Sequence, residues 1–170
     1  MSMKIIGAIL IVAVCGGTGI KLAATHLREE RTLRQLICVL DYMECELQYR
    51  LTPLPELCRQ AAVESNNVIC QVFLQLAIEL EDQISPNVDQ CMTAALCKIN
   101  EIPKLAYDAL VQLGRSLGRF DIAGQLKGID AVRAECRRNL ELLNQNQESR
   151  LRSYQTLGLC AGAAIVILFI

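Results

Sequence analysis

LRQLICVLDYMECEL, residues 33–47, places Leu33, Leu36, Leu40, Met43 and Leu47 at alternating steps of three and four. That recurrence puts all five side chains on one stripe of an α-helix. Arg31, Asp41, Glu44, Glu46 and Arg50 fall on other faces, so the segment reads as an amphipathic helix with one side meant for a core. Such a stripe needs other helices to cover it. The expectation is an all-α chain.

The rest of the middle of the chain repeats the same pattern. Thr52-Pro53-Leu54-Pro55 stops the first helix and starts a short one reaching about Ala62, with Thr52 as the expected cap and both prolines in a first turn that has no use for their missing N–H groups. Ser65-Asn66-Asn67 breaks the chain before Val68, Val72, Leu76 and Leu80. Ser85-Pro86 reads as the start of a helix holding Met92, Leu96 and Ile99. Asn100-Glu101-Ile102-Pro103 opens one carrying Leu105, Leu110, Leu113 and Leu117. Asp121 caps a long last helix whose Ile129, Val132, Cys136, Leu140 and Leu143 again step by three and four. No segment alternates with period two between turns, so a sheet is not expected.

Outward from this body the composition changes. The chain has 170 residues, 17 basic and 18 acidic, and nearly all the charge lies between Thr25 and Ser153. Ile5 to Ile20 and Leu157 to Ile170 are uncharged and apolar. Sixteen residues rise about 24 Å against a bilayer core of about 30 Å, and Lys4 and Lys21 can extend to the interface to close the gap. The expected organisation is a transmembrane helix at 3–24, a compact cytoplasmic helical bundle at 25–153 and a transmembrane helix at 154–170, with Tyr154 as an interfacial anchor. A cleaved signal peptide would need a small-x-small site after the apolar run, and a lipoprotein box would need a small residue where Val14 precedes Cys15; the first span is therefore read as retained.

Lys21, Arg28, Arg31 and Arg34 follow the first span, and Arg137, Arg138, Arg150 and Arg152 precede the second. By the positive-inside rule the bundle faces the cytoplasm and both termini lie across the membrane. Basic and acidic residues balance, and no Lys/Arg run is interleaved with aromatics, so nucleic acid is not an expected partner.

Chemistry-bearing residues are sparse. Nine cysteines stand singly at 15, 38, 45, 58, 70, 91, 97, 136 and 160, none in a C-x-x-C pair, beside one histidine, His26. They read as small apolar fillers in a reducing compartment, with no metal or other cofactor expected. Gly17-Thr18-Gly19-Ile20-Lys21 lacks the Walker spacing of a phosphate loop.

The unusual stretch is Leu113 to Gly128, in which Gly114 and Gly118 form one pair four residues apart and Gly124 and Gly128 another. Each glycine inside a helix costs up to about 1 kcal/mol against alanine, so four need a reason. Two remain open: close packing between the domain's own helices, or a docking surface for a partner rimmed by Arg115, Arg119 and Lys127.

Several of these segments together resemble the stage III sporulation protein AB family of endospore-forming Firmicutes. They are the apolar span, the Arg-rich amphipathic helix, T-P-L-P-E-L-C from Thr52 to Cys58, L-G-R-S-L-G-R-F-D from Leu113 to Asp121 with Gln125 after it, and the Leu157-Gly158 apolar tail. The resemblance covers essentially the whole chain; the numerous cysteines depart from it. It implies a domain similar to the cytoplasmic domain of general secretion protein F, the type II secretion platform protein. It further implies a non-enzymatic part of a mother-cell-to-forespore channel, in the mother-cell membrane around the forespore, required for endospore formation. The implied partners are the lipid bilayer, a secretion-type ATPase and sibling small membrane proteins; a homo-oligomer stays open. The surface singled out for docking is Arg115, Arg119, Asp121 and Gln125, with the four glycines. Two other classes stand beside this one: a membrane-anchored coiled-coil scaffold unrelated to sporulation, and a membrane thiol enzyme, for which no nucleophile stands beside a base in the sequence.

Overall fold

The computed structural model describes the backbone of residues 2–50, 52–82, 87–118 and 121–169, and within these the side chains of 25–145. Six α-helices and no strand occur among the described residues: α1 (Ser2–Tyr49), α2 (Leu54–Val63), α3 (Asn67–Glu81), α4 (Val88–Cys97), α5 (Lys104–Ser116) and α6 (Ile122–Phe169). The helical bundle expected from the periodicity is present.

Its core lies where the leucine stripes point. Leu33, Leu36, Leu40 and Met43 of α1 are fully buried, and Leu47 nearly so. Val72, Phe73 and Leu76 of α3, Met92 of α4, Leu110 and Leu113 of α5, and Ile129, Val132 and Cys136 of α6 join them in one cluster. Successive helices pack on each other from α2 to α6, and α1 packs against α2, α3, α5 and α6. Burying each large aliphatic side chain contributes about 1.5–3 kcal/mol.

The connections correct several local expectations. Thr52 does not cap α2: its Oγ1 donates to Glu46 Oε2 at 3.1 Å, and Pro53 occupies the N-cap position with no side-chain cap bond. Pro55 does sit in the first turn, whereas Pro53 precedes it and lends its carbonyl to the Leu57 N–H at 2.9 Å. Glu46, assigned by spacing to an outer face, is buried; the Thr52 hydroxyl and the Arg50 guanidinium at 3.4 Å compensate its charge. Asp121 does cap α6, accepting the Gly124 N–H at 3.0 Å. Ser85-Pro86 lies outside the described residues; α4 starts at Val88 after Asn87.

Cysteines divide. Cys58, Cys91 and Cys136 fill the core as expected, but Cys38, Cys45 and Cys97 are exposed, so the filler reading fails for those three. Burial pushes the Cys58 thiol up to about 12 and the Cys136 thiol up to about 11, which keeps both protonated at neutral pH.

The expected transmembrane helix at each end has no counterpart among the described residues, where no helix is long and apolar enough to cross a membrane. The two apolar runs themselves fall on side chains outside the described set, at 1–24 and 146–170. What is described is helix α1 beginning at Ser2 and helix α6 ending at Phe169, with core residues starting at Leu33 on the first and ending at Leu143 on the second.

A charged cluster ties these two helices. Arg133 of α6 donates to Asp41 Oδ1 of α1 at 2.7 Å, and its guanidinium also pairs with Glu44 of α1 and Asp130 of its own helix. The bond to Asp41 raises the Arg133 pKa further. Its side chain is only 18% exposed, so removing it leaves three carboxylates facing each other at the α1–α6 seam. Arg133→Ala is expected to cost about 1–2 kcal/mol, seen as a thermal midpoint roughly 3–6 °C lower, whereas Arg138→Ala, on an exposed position, leaves it unmoved.

A second ion pair joins α3 to the end of α4. Glu79, nearly buried, accepts from Lys98 and, at 2.9 Å, from Gln75. The Lys98 bond holds its carboxyl below the usual carboxylate range. A lowered folded pKa contributes stability that is present above the unfolded value and lost as pH falls through the folded one. Melting curves recorded downward from pH 6 are therefore expected to show a smaller acid loss in Glu79→Gln than in the parent chain.

Candidate functional site

The glycine-rich stretch becomes the α5–α6 hairpin. α5 ends at Ser116, Leu117 turns out of the helix in extended geometry while burying its side chain, and Gly118 follows in the left-handed region at φ +69°. Only glycine enters that region without steric cost, so here its presence stops the helix. Arg119 and Phe120 lie outside the described residues. α6 then begins under the Asp121 cap.

Three of the four glycines stand at close helix contacts. A Cβ on Gly114 would come 2.7 Å from Met92 Cβ of α4; one on Gly118 would come 2.4 Å from Val88 Cγ2; one on Gly128 would come 2.3 Å from Ser116 Cβ of α5. The hairpin thus rests on the start of α4, and α6 crosses α5 with nothing between Gly128 and Ser116. The Ser116 hydroxyl is turned to its own helix, donating to the Leu113 carbonyl at 2.9 Å. Gly124 gives its N–H to Asp121.

Polar members of the singled-out set frame this contact. Arg115 is 67% exposed, its Nε 3.8 Å from Asp89 Oδ1 across the α4–α5 groove. A pair so solvated contributes little to stability. The guanidinium is thereby left accessible to another molecule. Asp121 and Lys127 are exposed, and Gln125 is half-buried with its N–H on the Asp121 carbonyl at 2.9 Å. Arg115, Asp121, Gln125 and the glycines therefore belong to one hairpin, as their sequence proximity implied. Sequence spacing did not reveal Val88, Asp89, Met92 and Ser116, the surfaces against which the glycines press, because those contacts join positions far apart in the chain.

No three His, Cys, Asp or Glu side chains among the described residues stand together as a metal would require. His26 is half-buried with Nδ1 3.8 Å from Glu29.

The family profile described as Stage III sporulation protein AB (spore_III_AB) matches residues 4–170. The chain belongs to the stage III sporulation protein AB family. Its role, like that family's, is in sporulation. Stage III sporulation protein AB of Bacillus subtilis (strain 168) is 27% identical over 172 residues, covering 98% of each chain. A solved structure of a Stage III sporulation protein AB matches with a TM-score of 0.61 over 72% of this chain and 98% of that one, at 24% identity, which is a likeness of fold.

Gly118 tests the hairpin directly. Gly118→Ala combines a disfavoured φ with overlap on Val88 and is expected to cost about 2–3 kcal/mol. Gly124→Ala, in the first turn of α6, is expected to stay within about 0.5 kcal/mol. Thermal melts of the two variants check the contrast.

Proposed function

We propose that this member of the stage III sporulation protein AB family is a non-enzymatic membrane platform in the mother-cell membrane around the forespore. Residues 3–24 and 154–170 cross one bilayer, the bundle at 25–153 faces the cytoplasm, and the α5–α6 hairpin docks a secretion-type ATPase and sibling membrane proteins of a mother-cell-to-forespore channel. The observation that carries this reading is the pair of long helices. Among the described side chains the core residues of α1 start at Leu33 and those of α6 end at Leu143, and the backbone of both helices continues more than twenty residues further, through the apolar runs of the sequence. Continuous helix over an apolar run, flanked by arginine on the bundle side, suits a lipid environment.

Chemistry by the bundle's own side chains has little to build on. The buried Cys58 and Cys136 thiols are held protonated, and protonated thiols are poor nucleophiles. Docking instead needs exposed polar groups on a rigid support. Arg115 and Asp121 supply them, with Gln125 half-buried beside them, on a hairpin pinned by its glycines.

Two measurements test the proposal. The full chain is expected to remain in membranes through alkaline carbonate, with its bundle protected from protease outside sealed cells; release or digestion would overturn the membrane reading. Charge reversal of Arg115 together with Lys127, exposed groups that cap no helix, is expected to lower recovery of the ATPase with the tagged chain at least about tenfold, with helicity unchanged. Equal recovery would remove the hairpin as the docking surface.

A further inference from the structure

Away from the hairpin, a groove of about 470 Å³ opens between the Leu27–Gln35 stretch of α1 and the start of α3. Leu27, Arg28, Arg31, Thr32 and Gln35 line one side, and Asn67 and Val68 the other. Positions 28, 31, 32 and 35 share one face of α1, so two guanidinium groups, a hydroxyl and an amide converge on the same space. Leu27 and Val68 give it an apolar edge.

The charges in the groove are not balanced internally. Arg28 pairs with Glu101 at 2.8 Å, in a bridge whose partners are both more than half exposed. Arg31 has no ion pair among the described residues, while its neighbour Arg34 is bound by Glu30 at 2.8 Å. The Thr32 hydroxyl donates to the Arg28 carbonyl at 2.8 Å, fixing that side chain within the wall. The lining therefore carries two arginines and no carboxylate, with Glu101 pairing one of them from outside it, in a recess whose volume lies within the range of small-ligand sites.

We infer that this groove binds a phosphate group, held between the Arg28 and Arg31 guanidinium groups with the Gln35 and Asn67 amides as further donors. Paired guanidinium groups suit phosphate, because their planar N–H donors match its oxygens two at a time. A phosphodiester carried on a glycerolipid fits the apolar edge as well. Leu27 stands three residues after Ala24, and Gln35 lies only about 12 Å further along the helix. The lipid as the source of the phosphate rests on the membrane reading above; the phosphate chemistry does not.

The test uses the full chain in a zwitterionic detergent, titrated separately with a short-chain phosphatidylglycerol and with glycerol 3-phosphate, binding being followed by native mass spectrometry. Arg31→Gln is expected to weaken binding about tenfold or more. Glu101→Gln, which frees Arg28 from its competing carboxylate, is expected to tighten it, and Arg34→Gln, whose arginine already has Glu30, to leave it nearly unchanged. Circular dichroism of each variant confirms that the helices persist. Phosphatidylglycerol bound with this pattern supports the lipid source. The same pattern for glycerol 3-phosphate alone keeps the phosphate site and overturns the lipid. If Arg31→Gln and Arg34→Gln weaken either ligand equally, attraction is only that of a basic surface and the site is overturned. No arm depends on residues 3–24 crossing a bilayer, so loss of the site and loss of the membrane reading are separate results.

Discussion

A helix face that takes Leu33, Leu36, Leu40 and Met43 wholly out of water cannot persist alone. At about 1.5–3 kcal/mol for each such side chain, exposure of that one stripe would cost an amount comparable to the whole stability of an ordinary domain, about 5–15 kcal/mol. The shorter helices follow from this constraint. α2, α3, α5 and α6 each lay part of their own apolar stripe against α1, and α4 enters by covering α3 and α5. Packing so shared leaves little slack where two helices meet without intervening side chains, and there the glycines stand. Gly114 and Gly128 let α4 and α6 approach α5 at distances that any Cβ would forbid.

Much of this was legible from spacing. The three-and-four steps of α1 and α6 identify core residues that are buried, and the Asp121 cap is visible because an aspartate stands just before an apolar-periodic run. Local misreadings arose where a long-range partner competed with a local one. Thr52 was expected to satisfy its own helix but bonds Glu46 from the preceding helix, and that same bond lets Glu46 be buried on a face that charge alone would place in water. Cys38, Cys45 and Cys97 show the reverse case, since a small apolar residue is tolerated equally on an open face.

The hairpin was only half legible. Four glycines in two pairs announced a special backbone, yet one needs a left-handed turn and two make room for neighbouring side chains, and sequence spacing cannot separate these roles. The groove between α1 and α3 was not legible at all. In the sequence Arg28 and Arg31 belong to a charge bias along α1, and their convergence with Asn67 depends on how α3 folds back onto α1.

All four prolines of the chain fall between residues 53 and 103, and neither α1 nor α6 contains one. Sharp bends in helices usually need proline or a local break in the hydrogen-bond ladder. Across the short helices the chain has several such joints, but each long helix runs 48 residues as one continuous helical segment. Each end of the chain is thus joined to the bundle by a continuous hydrogen-bonded ladder and not through a loop, since the helix that starts at Ser2 and the one that stops at Phe169 are the same two that carry Leu33 and Leu143 into the core.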